Sequence, residues 1–402
     1  MSDQRPVLTA DEARHRVLEA VSVLSTVRVP LADAVGSVLR SDVRTRVDQP
    51  PFDHSAMDGY AVRSADVADA PVTLPVVTVS SAGHPAPRGI QPGEAARILT
   101  GAVMVPGADC VVRVEDTDGG DDVVEVRSPA AAGANLRRAA EGARGGDVVI
   151  PAGVVVHPGH LGVAAAAGVD ELEVTATPRV AVLSTGDELV PVPTKELAPG
   201  QLFESNGIVI AELARGAGCD VTVQHCGDDT AVLESTVGEF AASHDLIVTT
   251  GGVSMGGEYD TVRAALLGSQ VEFWKLAIRP AKPFAFGRVG DAVFFGLPGN
   301  PVSAVVSFEL FVRPAIRALR GIGPATPPTV VGVAGEALSR PDDDQTHFVR
   351  VRRGDDGRWR STGRLGTHLL GGIAEAHGLA VLGPGVTTVD PGDELEIVPL
   401  WS

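Results

Sequence analysis

Lysine is almost absent from this chain. Only three occur in 402 residues, and two of them, Lys275 and Lys282, share one short run with Arg279 between them. Basic residues as a whole are outnumbered, 33 Lys and Arg against 51 Asp and Glu, for a net charge of −18. That balance argues against a nucleic-acid surface or an anionic membrane as the main partner. An anionic small ligand must then rely on a local cluster of cations. Cysteine is also scarce. Cys110, Cys219 and Cys226 are an odd number with no C-x-x-C spacing, which argues against a disulfide framework and a structural zinc site. His225 and Cys226 end an alternating run and read as a strand terminus rather than a nucleophilic dyad. No apolar run approaches membrane-spanning length, and no apolar stretch follows the polar MSDQRP. The expectation is a soluble, cytoplasmic protein with neither membrane nor nucleic acid as partner.

Glycine (47) and proline (29) are plentiful, so turns are many. With 44% apolar and 21% charged residues the chain is an ordinary globular one, long enough for two to four domains. Thr9 and Glu12 form a capping box ahead of a helix with Ala13, Val17, Val21 and Leu24 on one face. Short alternating runs broken by Gly and Pro follow (VTLPVVTVS, DCVVRVEDT, DVVEVRS), which predicts a β-rich insertion. From Pro178 strands and helices alternate: RVAVLST, GIVIAELARGAG, CDVTVQHC, TAVLESTVGEFAAS, HDLIVTT, DTVRAALL, AVFFG and PVSAVVSFELFVRPAIRAL. That order predicts a parallel sheet covered on both faces. Short strands resume after GIGPATPPT. The expected fold is multidomain α/β plus β. Residues 1–43 with 146–177 form a discontinuous linker domain and 44–145 the inserted β domain. Residues 178–325 form the central parallel α/β domain, and 326–402 a small β-barrel-like domain.

Ligands of open α/β sheets bind beyond the carboxyl ends of the strands. Three strands here end in turns suited to that: Ser184-Thr185-Gly186-Asp187-Glu188-Leu189, Thr249-Thr250-Gly251-Gly252-Val253-Ser254, and Gly296-Leu297-Pro298-Gly299-Asn300-Pro301. Glycine lets a ligand approach the backbone, hydroxyls and amides bind it, and Asp187 or Glu188 suits a metal or a ring N–H. Asn300 fits an N-cap and Pro301 the first helical position, leaving amides for an anion beside Lys275, Arg279 and Lys282. Each turn alone reads more readily as a plain strand–turn–helix junction, whereas three at one sheet edge make a crevice. If 275–279 is extended, Lys275 and Arg279 share a face. A second polar cluster spans Pro51 to Ala61, with Thr100-Gly101-Ala102 and Glu115-Asp116 downstream. Asp58-Gly59 is also an ordinary Asx-turn. Asp228 and Asp260 suit Mg²⁺, but a lone carboxylate at a helix N-terminus is more often a cap.

FDHSAMDGYA, TGAVMVPGADCVV, STGDEL, QLFESN, TTGGVSMG, FWKLAIRPAKPFAF and LPGNPVSA occur here in one order. It is the order seen in the molybdopterin molybdenumtransferases, the MoeA type related to the gephyrin E domain, and the resemblance covers nearly the whole chain. It implies a homodimer of elongated four-domain subunits. It also implies Mg²⁺-dependent insertion of molybdate into adenylylated molybdopterin, releasing AMP and giving the molybdenum cofactor. Molybdopterin adenylyltransferase and recipient molybdoenzymes are the further partners it implies. Carried over position by position, Asp58, Thr100, Glu188, Asp228, Lys275 and Arg279 match the catalytic positions. Thr185, Gly186, Asp187, Thr250, Gly251, Gly252, Ser254, Lys282, Pro298, Gly299, Asn300, Pro301 and Arg350 match the binding positions. Glu188, Asp228 and Asp260 are the expected metal ligands, with the Asp58 loop of a second subunit closing the cleft.

Departures from the family pattern stand at His54, at Ala281 in place of glycine, at Leu365 in place of glutamine, and in a loop one residue longer after Gly252. Gly142 replaces a functional aspartate, with Glu141 as its nearest substitute. Two rival readings follow: a non-catalytic molybdopterin-binding paralogue or scaffold, and a molybdopterin adenylyltransferase. That second class, however, usually lacks both the β insertion and the basic run.

Overall fold

A computed structural model describes residues 7–194, 196–253, 261–266, 268–324, 326–363, 366, 368 and 370–401. They form two compact units, one of residues 28–35 and 39–173, the other of residues 7–27, 36–38 and 174–401. The four-part division expected from the sequence is finer than this.

The larger unit is built on a seven-stranded sheet in the order Val7–Leu8, Gln270–Leu276, Pro283–Val289, Ala292–Leu297, Leu246–Thr250, Arg179–Thr185, Asp220–Cys226. The last four of these are mutually parallel, as the strand–helix alternation predicts. Pro283–Val289 is antiparallel to both its neighbours. The basic run is therefore the corner of a three-strand meander, which apolar periodicity did not separate from its surroundings. Alternate residues of the buried strands feed two cores on opposite faces. Val180, Val182, Val248 and Phe295 pack under the helices Asn206–Gly216 and Pro301–Ser307. Ala181, Leu183, Ile247 and Phe294 meet Leu233, Val237 and Phe240 of the helix Thr230–Ser243.

The long C-terminal helix of this sheet runs unbroken through Pro301–Ser307, a π-helical turn Phe308–Val312, and Arg313–Arg320. The wider turn lies just ahead of Pro314, whose ring and missing N–H would otherwise clash with the preceding turn and leave a carbonyl unpaired. The first helix, Ala10–Glu19, carries the expected capping box, with Thr9 Oγ1 accepting from the Glu12 amide (3.2 Å) and the Glu12 carboxylate accepting from the Thr9 amide (2.8 Å). The helix ends before Val21 and Leu24. Ala13 and Val17 pack into the α/β core, and Val7–Leu8 extends the sheet beside Lys275–Leu276. Residues 7–20 thus belong with the α/β sheet.

A second sheet of the same unit has the order Ile278–Arg279, Thr346–Arg353, Gly378–Leu382, Glu394–Pro399, Val330–Val333. Its short first strand comes from the basic run. Ile278 pairs with Thr346 and Arg279 with His347, in parallel. The smaller unit holds a five-stranded sheet in the order Cys110–Arg113, Gly59–Val62, Ala95–Ile98, Val72–Ser80, Val123–Val126. It also contains the helix Pro158–Ala166. No helix of the described residues is long and apolar enough to cross a membrane.

Candidate functional site

The three turns expected to form a crevice do so. A cleft of about 810 Å³ at the carboxyl ends of the parallel strands is lined by Thr185, Gly186, Glu188, Asp228, Thr250, Gly251, Gly252 and Pro298 to Pro301. Two glycines are required by the geometry. At Gly186 (φ +139°) a Cβ would stand 2.4 Å from the Glu188 carboxylate, which folds over the bare backbone. At Gly252 (φ +64°) it would stand 2.4 Å from Val262. Thr250, 2% exposed, has a hydroxyl with no partner among the described residues, so the cleft floor keeps a polar group for a ligand.

Asn300 is the N-cap and Pro301 the first residue of its helix, as expected, and the Asn300 side chain makes no capping bond. Its first-turn amides are therefore not closed off by their own cap. Across the cleft, Asn206 Nδ2 donates to the Gly299 carbonyl at 2.7 Å, tying the helix Asn206–Gly216 to the Pro298–Pro301 turn. Sequence reading assigned no role to Leu202, Phe203, Glu204, Ser205 or Asn206, all on the cleft wall with His368. Their signal was the QLFESN run, which lies in an irregular stretch with no periodicity.

Asp187 does not line the cleft. It braces Asp228 instead: Asp187 N donates to Asp228 Oδ2 (3.2 Å) and Asp228 N to Asp187 Oδ1 (2.9 Å). The other Asp228 oxygen faces the Thr261 hydroxyl at 3.5 Å. Exposed carboxylates of Glu188 and Asp228 at one cleft suit a hard divalent cation. Among the described residues no three potential ligands come together. Asp260, the third expected ligand, and Ser254 lie outside the described residues.

The basic run is divided rather than collected. Leu276 ends one sheet and Ile278 begins the other, so 275–279 is not one extended strand and the shared-face expectation does not apply. Lys275, half-buried, lies in the seven-stranded sheet, and neither it nor the exposed Lys282 lines a described cavity. Arg279 and Arg350 instead line a second cavity of about 340 Å³, with Ser339, Arg340, His347, Phe348 and Ser361 among its walls. None of its described lining residues is acidic. Arg350 is 4% exposed, and burial lowers its basicity. The Arg279 guanidinium is exposed and has no partner among the described residues.

Asp58 and Thr100 lie in the smaller unit and are joined. The Thr100 amide (2.7 Å) and hydroxyl (2.8 Å) both donate to Asp58 Oδ1 and hold its carboxyl below the ordinary range. Asp53 caps the Ala139 amide at 2.7 Å and pairs with Arg138 at 2.8 Å. Glu141 accepts from Arg137 (3.2 Å) and from the Arg138 amide (3.1 Å). Its carboxylate is turned into its own turn.

Three family models cover most of the chain: the MoeA N-terminal region (domains I and II) over 8–168, a probable molybdopterin binding domain over 181–318, and the MoeA C-terminal region (domain IV) over 337–400. The chain is 39% identical to molybdopterin molybdenumtransferase 2 of Mycobacterium tuberculosis, across 97% of this chain and 98% of that protein. It is 35% identical to the molybdopterin molybdenumtransferase of Haemophilus influenzae, across 98% of each. A crystal structure of a MoeA protein of molybdopterin biosynthesis from Pyrococcus horikoshii superposes with a TM-score of 0.84. The two are 26% identical, over 99% of this chain and 100% of that one.

Proposed function

The chain belongs to the MoeA family of molybdopterin molybdenumtransferases, and from that premise we propose that it inserts molybdate into adenylylated molybdopterin in a Mg²⁺-dependent step that releases AMP. The observation that carries this reading is the pair of cavities in one unit. One is a glycine-lined cleft large enough for a pterin with its phosphates, the other a smaller cavity whose described walls are basic and neutral.

In this reading the turns at Thr185–Gly186, Thr250–Gly252 and Pro298–Pro301 hold the pterin and its phosphate through backbone amides and hydroxyls. Arg279 and Arg350 hold molybdate, because a guanidinium fork donates to two oxygens along one edge of a tetrahedral oxyanion. Glu188 and Asp228 would hold Mg²⁺, which polarises the phosphoanhydride when bound. Asp187 keeps Asp228 aimed at the cleft. Thr100 keeps Asp58 ionised, as a group that orients water or substrate must be. A homodimer in the cytoplasm is part of the proposal, and light scattering that finds only a 41 kDa monomer at micromolar concentration would remove the dimer from it.

The deciding experiment supplies adenylylated molybdopterin, molybdate and Mg²⁺ and measures AMP and reconstitution of an apo-molybdoenzyme. Both products are expected. Ligand binding without either product would leave a carrier rather than a transferase.

A further inference from the structure

We infer that His347 is a third anion-binding group of the Arg279–Arg350 cavity, one that takes up a proton as the oxyanion enters. This rests on the reading of that cavity as the molybdate site. His347 lines the cavity, is 7% exposed, and stands opposite Arg279 in the strand register. Its Nε2 lies 3.0 Å from Asp343 Oδ1. Burial pushes the Asp343 carboxyl up, but the Gln345 amide, His347 and Arg340 hold it below its ordinary range. An ionised carboxylate only accepts, so Nε2 carries the hydrogen. Nδ1 is then the polar atom left, and it has no partner among the described residues.

The state of Nδ1 decides what the wall does. In the neutral ring it is a lone pair and repels an oxyanion. In the imidazolium it is an N–H and donates a charge-assisted bond. Asp343 does not settle the matter beforehand, because Arg340 Nη1 already neutralises it at 2.9 Å. Among the described residues, the charged groups around the imidazole are Asp343, with exposed Asp342 and Asp344 beside it on the turn, Arg340 behind that carboxylate, Arg279 on the paired strand and Arg350 on its own. Leu382, across the antiparallel pair, adds none. A dianion in the cavity favours the imidazolium over the neutral ring. Proton uptake is thereby coupled to anion binding.

The test is calorimetric titration of molybdate into native protein, H347Q, D343N and R279A from pH 6 to 8.5. Each is run in two buffers of different ionisation enthalpy, with thermal melts to confirm folding. Native protein should take up a proton on binding, and its affinity should fall as pH rises, by at most about tenfold per pH unit. H347Q should bind more weakly at pH 6, with a flat profile and no uptake. D343N should keep the slope but displace it to lower pH, and it decides the matter if H347Q does not fold. R279A should weaken binding at every pH. An H347Q or D343N profile identical to native overturns the role of His347 and leaves the cavity assignment standing. Absence of molybdate binding, or an R279A variant equal to native, overturns both.

Discussion

Asp187 and Asp228 hold each other's loops: each donates its backbone amide to the other's carboxylate, at 3.2 and 2.9 Å. The loops follow neighbouring parallel strands, so the pair sets the spacing of one cleft wall. Gly227 belongs to the same arrangement, since a Cβ there would stand 2.5 Å from Asp187 Oδ1. Asp187→Ala should leave the fold intact while the Asp228 amide loses on the order of tenfold in hydrogen-exchange protection. Mg²⁺-dependent ligand binding should weaken in parallel. Native protection of that amide in the variant would show that the brace does not exist in solution.

Gly142 has no left-handed backbone, and a Cβ there would meet only the Gln49 carbonyl, at 3.1 Å. Aspartate therefore fits after a shift of a few tenths of an ångström. Glu141 is already engaged by Arg137 and Arg138, so its carboxylate is held away from the place an aspartate at 142 would take. Gly142→Asp should raise the rate of molybdenum insertion several-fold, and Glu141→Ala should loosen the turn without abolishing the reaction. Loss of all activity in Glu141→Ala, with no gain in Gly142→Asp, would restore Glu141 as the substitute.

The helix Pro158–Ala166 is capped by two stacked histidines. His157 Nδ1 accepts from the Gly159 amide and His160 Nδ1 from the His157 amide. Both caps need a neutral ring. Burial and then the neighbouring His157 lower the basicity of His160. The unfolded chain therefore binds that proton first as pH falls. The contribution is complete above the unfolded value of about 6.5 and is lost as pH drops through the folded one. Urea unfolding should show on the order of 0.5–1 kcal/mol lost between pH 7.5 and 5, the low end of a capping bond because the site is solvated. His160→Gln, which accepts from the same His157 amide without titrating, should flatten this dependence. An unchanged slope in that variant would exclude the histidine cap as its source.

Ala281 is 4% exposed and sits at φ +80°. Glycine there relieves about 1–2 kcal/mol of backbone strain but loses a buried methyl and adds chain entropy, so Ala281→Gly should stay within about 1 kcal/mol of native. Ala281→Val adds β-branching at positive φ in a packed corner and should cost roughly 2–4 kcal/mol. Equal stabilities for the two variants in urea titrations would mean that the corner differs from the one described.

Alternation and capping chemistry made the elements legible from sequence. RVAVLST, TAVLESTVGEFAAS and HDLIVTT are the strand, helix and strand they were expected to be, and Thr9 with Glu12 forms its capping box. The three glycine turns converge because parallel strands joined by helices must end on one edge, which the order of elements already dictates. The tertiary structure decided what periodicity does not encode. Lys275 and Arg279 look like one cluster in the chain, yet the meander ends between them and leaves each in a different sheet. Arg350 and His347, about seventy residues further on, join Arg279 instead, brought there by strand pairing between distant segments. Side-chain type and local period are properties of a few neighbouring residues and can be read in order. Which cations share a cavity depends on long-range strand pairing, and that is fixed only when the sheets form.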